Sequence, residues 1–123
     1  MLRKEGSFSA SPYSQKLKAY RARFYITQHK RDLALLELIN IYFGTGKIYK
    51  KGDSTYNYEV SSYKINHEII LPFFIKYPLP SVCLKAINFF IWKQIIEIMK
   101  LGLHKKGSEH RSELDELIDK LNK

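Results

Sequence analysis

Two segments near the start of the chain contain the apolar and polar alternation that is typical of β-strands with one buried face. In "YRARFYITQ" (20–28) the alternation is strict, and one side is apolar: Tyr20, Ala22, Phe24 and Ile26. The other side is basic or able to form hydrogen bonds: Arg21, Arg23, Tyr25 and Thr27. The pattern predicts a strand with an apolar back and a polar front.

The preceding segment, "SFSASPYSQ" (7–15), is predicted to pair with this strand as a hairpin. Its front would carry Ser9, Ser11, Tyr13 and Gln15. Pro12 has no N–H to donate to a strand ladder, which favours an edge position or a bulge.

A second hairpin is predicted in "GKIYKKGDSTYNYEVSSY" (46–63), where "KGDS" supplies a Gly-Asp turn between two tyrosine-rich strands. Lys47, Tyr49 and Lys51 would share one face of this hairpin. The second hairpin therefore adds basic and hydroxyl-bearing side chains of the same kind as the first.

Helical patterns follow each hairpin. Residues 30–44 predict an amphipathic helix, with Asp32 near its start, Gly44 as its stop and apolar residues near helical spacing: Leu33, Leu36, Ile39, Ile41 and Phe43. Further helices are predicted over 67–77, from about Leu84 to Leu101 after a break at "YPLPS", and over 112–122, where Ser108 or Ser112 would be the cap.

This order of elements predicts an α+β fold in which two hairpins form one four-stranded antiparallel sheet with helices packed on its apolar face. The other face of such a sheet stays in contact with water. A length of 123 residues suits one domain, 1–123, with a hairpin-helix-hairpin part (1–64) and a helical part (65–123).

The charge of the chain indicates a polyanionic partner. Lys and Arg outnumber Asp and Glu by 21 to 12, giving a net charge of +9. Residues 1–64 hold 12 basic and 5 acidic residues, a net +7, and residues 65–123 hold 9 and 7, a net +2. The basic residues follow strand-like spacing, and the apolar runs 69–75 and 86–92 are far shorter than a bilayer span, so a membrane partner is not expected.

The residues that commonly bind structural metals are sparse. Cys83 is the one cysteine, so an intrachain disulfide cannot form. The four histidines, His29, His67, His104 and His110, lack the paired spacing of a zinc site and are interpreted as solvated or capping residues.

Five segments, in order along nearly the whole chain, carry a resemblance to a known family: "EGSF", "RFYITQHKRDLALLELI", "GTGKIYKKGD", "FFIKYPL" and the C-terminal helices. Through them the sequence resembles the LAGLIDADG homing endonucleases of organellar introns. It implies the family's domain, in which a saddle-shaped sheet lies in the DNA major groove. It also implies an organellar, mitochondrial location.

The resemblance further implies catalytic positions. In the family, a signature helix ends in an acid just before "GSF" and that acid holds a divalent metal, so Glu5 is the implied metal ligand, with Mg²⁺ as the cofactor if the chain is catalytic. Gln28 corresponds to the glutamine that orients water near the metals. Lys85 is the lysine nearest to the family's basic residue after "KYPL", although the spacing differs by about two residues.

Only "MLRK" stands where the signature helix would lie, so this helix is expected to be truncated. Hydrolysis by this fold uses metals held by carboxylates of two domains, which one Glu cannot supply alone. The first hypothesis is therefore a nucleic-acid-binding protein that is catalytically impaired, or that depends on a partner such as a second LAGLIDADG-like chain.

Two alternatives remain open at this point. The chain could be a non-catalytic RNA-binding protein, similar to an intron maturase or associated with the mitochondrial ribosome, that acts within a ribonucleoprotein. A protein-interaction module built on Phe89, Trp92 and Ile96 is less favoured, because apolar residues at helical spacing usually belong to a core.

Overall fold

The fold is built on two antiparallel hairpins that form one sheet. The computed structural model describes residues 6–14, 19–79, 84–102 and 111–122. The strands are β1 (Gly6–Ser14), β2 (Ala19–His29), β3 (Lys47–Lys50) and β4 (Thr55–Val60). They lie in the order β1-β2-β4-β3, with every neighbouring pair antiparallel, which confirms the predicted four-stranded sheet.

Strand register separates a buried back face from an exposed front face. Phe24 of β2 lies opposite Phe8 of β1 and Val60 of β4, and Ile26 lies opposite Tyr58. The back-face residues that are buried are Phe8, Ala10, Tyr20, Ala22, Phe24, Ile26, Tyr58 and Val60. The alternation in 20–28 therefore has the predicted orientation.

The first strand lies at the edge of the sheet and is irregular. Its pairing with β2 is regular up to Ser11 opposite Arg21, and the register then shifts before Ser14 meets Ala19. Pro12 lies within the shifted segment, so the prediction of an edge position or a bulge is confirmed on both counts.

The helix after β2 begins with a 3-10 turn, Lys30–Asp32, and continues as α1 (Leu33–Phe43). The side chain of Asp32 forms no capping bond, whereas His29 Nδ1 accepts from the N–H of Arg31. Gly44 ends the helix with φ 71°, as predicted. Ile41 does not join the apolar side: it is 76% exposed, because it lies about 140° around the helix axis from buried Leu36.

The next helical segment starts at Tyr63, four residues before the predicted start at 67. It consists of α2 (Tyr63–Ile65), a π-helical stretch (Asn66–Ile70) and α3 (Leu71–Lys76). The N–H of Leu71 donates to Asn66 O, the wider spacing of a π-helix, directly before Pro72. Proline cannot donate and its ring collides with the preceding turn, so the wider turn accommodates it.

Asn66 fastens this helical segment beneath the two central strands. It is fully buried, and its Nδ2 donates to Ala22 O at 3.2 Å and to Val60 O at 3.1 Å. Because β4 ends at Val60, opposite Phe24, it has no residue to place opposite Ala22. The Asn66 amide satisfies that carbonyl instead.

The last two helices are α4 (Leu84–Lys100) and α5 (Arg111–Leu121). Trp92 of α4 donates from Nε1 to Ser9 O of β1 at 3.1 Å. The ring of Phe8 lies 5.0–5.5 Å, between centroids, from four others: Phe24, Phe74, Phe89 and Trp92. Trp92 and Ile96 are fully buried, so the Phe89, Trp92 and Ile96 stripe belongs to the core.

Helix α5 is attached to the sheet by polar contacts. Tyr20 donates its hydroxyl to Asp115 Oδ1 at 2.9 Å, and Arg111 Nε donates to the Tyr20 hydroxyl at 3.2 Å. Ser112 lies inside the helix and is therefore not its cap, while Ser108 lies outside the described residues. None of the described helices is long and apolar enough to cross a bilayer.

The turn into β3 requires glycine. Gly46 has φ 108°, and a Cβ there would lie 2.7 Å from Cζ of Tyr58. Tyr58 is buried, which raises the pKa of its hydroxyl to about 12, and it donates to Thr45 O at 2.7 Å. The tyrosine ring thus closes the turn against the back of the sheet.

Gly46→Ala is expected to lower the free energy of unfolding by about 3 kcal/mol or more, because backbone strain adds to a collision with the ring of Tyr58. Gly44→Ala is the matched control, since Gly44 also has positive φ but no atom within 4 Å of its added Cβ. It should cost only about 1 kcal/mol. Urea unfolding of the two variants tests this, and equal losses would show that the ring of Tyr58 does not set the requirement.

Candidate nucleic-acid interface

The polar side chains of all four strands meet on the front face. This name is used for the strand residues that alternate with the buried set: Ser7, Ser9, Ser11, Arg21, Arg23, Tyr25, Thr27, His29, Lys47, Tyr49, Thr55, Asn57 and Glu59. The helices described above contact the opposite side of the sheet. The front face is therefore the uncovered side in the part of the chain that the structure describes.

Cations lie around the margin of this face. Arg21 lies opposite Ser11, Lys47 lies on the edge strand β3, and Lys51 follows directly after that strand. All three side chains are exposed. Lys51 Nζ lies 5.9 Å from the centroid of the Tyr25 ring, which places it over the front face as predicted.

A hydrogen-bonded chain of side chains occupies the centre of the front face. Thr27 Oγ1 donates to Asn57 Oδ1 at 2.6 Å, and Asn57 Nδ2 donates to the Tyr49 hydroxyl at 3.2 Å. Tyr49 in turn donates to Glu59 Oε1 at 2.5 Å. The chain links β2, β4 and β3, so it fixes side-chain positions across three strands.

Arg23 joins this network at the carboxylate. Its Nη1 lies 3.4 Å from Glu59 Oε1, and the side chains of Arg23 and Glu59 are 30% and 12% exposed. The guanidinium also lies 5.9 Å from the Tyr25 ring centroid. Arg23 is thus held in place by an acid, unlike the exposed cations at the margin.

Burial raises the pKa of the Tyr49 hydroxyl, and the hydrogen bond to Glu59 raises it further. The contact with Asn57 acts in the opposite direction. Tyr49 therefore stays a neutral hydrogen-bond donor throughout the physiological pH range, with Glu59 Oε1 as its acceptor.

The predicted binding residues are distributed as follows. The structure brings most of them to or beside the front face: Ser9, Ser11, Arg21, Arg23, Tyr25, Thr27, Lys47, Tyr49 and Lys51. Tyr13 lies in β1, but its side chain is outside what is described, and Gln15 is outside the described residues altogether. Whether these residues contact nucleic acid remains a prediction.

The predicted catalytic residues lie on separate elements or outside the described part of the chain. Gln28 continues the back-face series of β2, lies opposite Tyr56, and is only partly exposed. Lys85 lies in the first turn of α4. Glu5, the residues before it, Cys83, His104 and His110 lie outside the described residues. Within those ranges, no group of three His, Cys, Asp or Glu side chains could hold a metal.

Asn57 and Glu59 are not among the predicted binding residues, although both belong to the central network. The signal was present in "TYNYEV", where Tyr56, Tyr58 and Val60 alternate with polar residues. This alternation therefore predicts that Asn57 and Glu59 lie on the front face. Their bonds to Tyr49 depend on the register between β3 and β4, which places Tyr49 opposite Asn57.

The sequence of this chain is similar to the sequences of known proteins. The chain matches the LAGLIDADG endonuclease family model over residues 4–96. "Probable intron-encoded endonuclease 3" of Neurospora crassa is 34% identical over 99 residues, which cover 77% of this chain and 18% of that protein. "Uncharacterized 50.9 kDa protein in ND4 intron 1" of Podospora anserina is 34% identical over 97 residues, covering 72% and 21%.

A solved structure shares the fold. "I-SmaMI bound to uncleaved DNA target in the presence of Calcium ions" superposes with a TM-score of 0.88 and 31% identity, covering 98% of this chain and 42% of that one. The chain thus spans about a fifth of the curated relatives and two fifths of this neighbour. The similarity of sequence and the similarity of fold agree: this chain belongs to the LAGLIDADG endonuclease family.

Glu59→Gln is expected to lower the pKa of Tyr49 toward its ordinary value, because an amide stabilises the protonated phenol less than a carboxylate does. Burial should keep that pKa above its ordinary value. An NMR pH titration of the tyrosine ζ carbons measures it, with the Tyr49 signal assigned by Tyr49→Phe. Tyr20, whose pKa is raised by burial and by Asp115, is the internal control and should not move. An unchanged Tyr49 pKa would mean that this hydroxyl does not donate to Glu59 in solution.

Proposed function

We propose that this chain is a nucleic-acid-binding domain of homing-endonuclease type that lays its front face along duplex DNA. The observation that carries the proposal is the layout of that face, with exposed cations at the margin and a fixed polar network in the centre. The similar protein I-SmaMI is described as bound to a DNA target, which supports DNA as the ligand here.

The two zones of the face suit two kinds of contact. Phosphate contacts supply affinity and orientation, and Arg21, Lys47 and Lys51 are exposed cations able to make them. Base edges are distinguished by hydrogen bonds in the major groove, which require side chains held in place. The central network provides such side chains before any ligand arrives.

The catalytic part of the proposal is narrower. We propose that cleavage, where it occurs, needs Mg²⁺ and a second domain or chain that contributes its own acid, since Glu5 is the one acid that matches the family's metal ligand. The described residues contain no group of three His, Cys, Asp or Glu side chains that could hold a metal, so no metal ligand is proposed among them. Gln28 and Lys85 remain proposed participants.

Structured RNA is the competing ligand. Exposed cations would neutralise its phosphates equally well, but the deep, narrow major groove of an RNA helix would leave the central network without base edges to contact. Such binding would be favoured within a ribonucleoprotein. Competition between duplex DNA and folded RNA of equal length decides between the two ligands. The ND4 intron origin of one relative supports a mitochondrial location for this chain.

Replacing Arg21, Lys47 and Lys51 together by Ala should weaken DNA binding by about two orders of magnitude at low salt. It should also reduce the slope of log affinity against log salt concentration by about two to three units, because three phosphate contacts are lost. Fluorescence anisotropy across a salt series with a labelled duplex measures both quantities.

The matched control removes three exposed helical lysines, Lys64, Lys100 and Lys120, and so makes the same change in net charge. It should leave the salt slope nearly unaltered. If both triple variants lose the same affinity and slope while remaining folded, attraction is set by net charge alone and the front face is not the binding surface.

The chain alone is expected to bind DNA without making double-strand breaks in Mg²⁺, because cutting two strands needs two metal-binding acids. Any nicking within an assembled complex should disappear in Glu5→Gln, with binding retained. Supercoiled plasmid reports nicks and double-strand breaks separately. Mg²⁺-dependent double-strand cleavage by the isolated chain, abolished in Glu5→Gln, would contradict the proposed need for a partner.

A further inference from the structure

The most unusual group on the front face is an acid. Among the strand residues that the structure describes, Glu59 is the one acidic side chain on a face that also carries Arg21, Arg23 and Lys47. It lies on a central strand, between Arg23 of β2 and Tyr49 of β3. A phosphate group would be repelled at this position.

The two oxygens of Glu59 differ in their partners. Oε1 accepts from Tyr49 and contacts Arg23. No described residue donates a hydrogen bond to Oε2. The side chain is 12% exposed, so it is largely buried but still accessible from the front face. Glu59 therefore offers a fixed acceptor at the centre of the face.

An acceptor in this position matches one kind of group on duplex DNA. In the major groove, cytosine N4 and adenine N6 are the exocyclic amino donors, whereas guanine presents only acceptors and thymine presents an acceptor and a methyl group. We infer that Glu59 is a specificity-determining residue that accepts a hydrogen bond from an exocyclic base amino group. This inference rests on the proposed binding of DNA by the front face.

The same carboxylate has a second consequence. It holds Arg23 through Glu59 Oε1 at 3.4 Å, so this arginine is less available to phosphates than Arg21. Glu59 thus lowers the affinity for arbitrary sequence while it favours an amino group at one base pair. Both effects increase discrimination between sequences.

The test is a selection from a randomised DNA duplex pool with the wild-type chain and with Glu59→Gln, followed by affinity measurements on the selected duplex and its single-base variants. The wild type should prefer a cytosine or an adenine at one position by about tenfold, and the identity of the selected base distinguishes the two donors. Glutamine can itself pair with adenine N6 and N7, so Glu59→Leu, which has no acceptor and is tested in the same way, should lose the preference for either base. Glu59→Gln should lose most of a preference for cytosine. It should also bind unselected duplex several-fold more tightly, with a salt slope steeper by about one unit as Arg23 becomes available.

Two further variants define the controls. Glu116→Gln removes an exposed acid from α5 and should change neither the selected sequence nor the salt slope. If circular dichroism shows that Glu59→Gln does not fold, Glu59→Asp takes its place. Aspartate keeps the charge but has a shorter side chain, so the base preference at the same position should weaken.

The outcomes separate this inference from the proposed function. Wild-type binding with a selected sequence that Glu59→Leu leaves unchanged would overturn the role of Glu59 alone. A wild-type chain that binds no duplex at all would overturn the proposed function and, with it, this inference.

Discussion

The structure depends on the two-residue period of β2. Its even-numbered residues from Tyr20 to Ile26 are buried against the helices, so the alternate residues must face the opposite way. A slip of one residue would bury Arg21 and Arg23 and expose Phe24, which fixes the register strongly. The apolar side of one strand therefore determines where the charges of the front face lie.

The back of the sheet also determines how firmly the front is held. Asn66 joins Ala22 and Val60 from below, and Phe8 packs its ring against those of β2, α3 and α4. Because β2 and β4 are fixed in this way, Thr27, Asn57 and Glu59 keep constant separations. The network on the front is thus ordered by contacts that no ligand would touch.

Much of this arrangement could be predicted from the sequence, because alternation and turn residues report directly on strands and faces. The four strands, the uncovered face and the stop at Gly44 follow from local patterns. The π-helical turn could not be predicted, since local patterns do not show where a helix widens before Pro72 or that Asn66 donates to Ala22 O across the sheet. The exposure of Ile41 was also missed, because spacing near the helical period does not settle which residues reach the core.

The candidate site was predicted less completely than the fold, and the reason is physical. Residue type and alternation identify a basic face, but they do not show which cation is already held by an acid. That depends on cross-strand neighbours, and the bonds from Tyr49 and Arg23 to Glu59 join residues 10 and 36 positions apart. A count of charges treats Arg21 and Arg23 as equal. In the structure, Arg21 is exposed to solvent, whereas Arg23 is paired with the carboxylate of Glu59. Selectivity on a basic surface therefore depends on which charges are restrained, and that restraint is a property of the folded sheet.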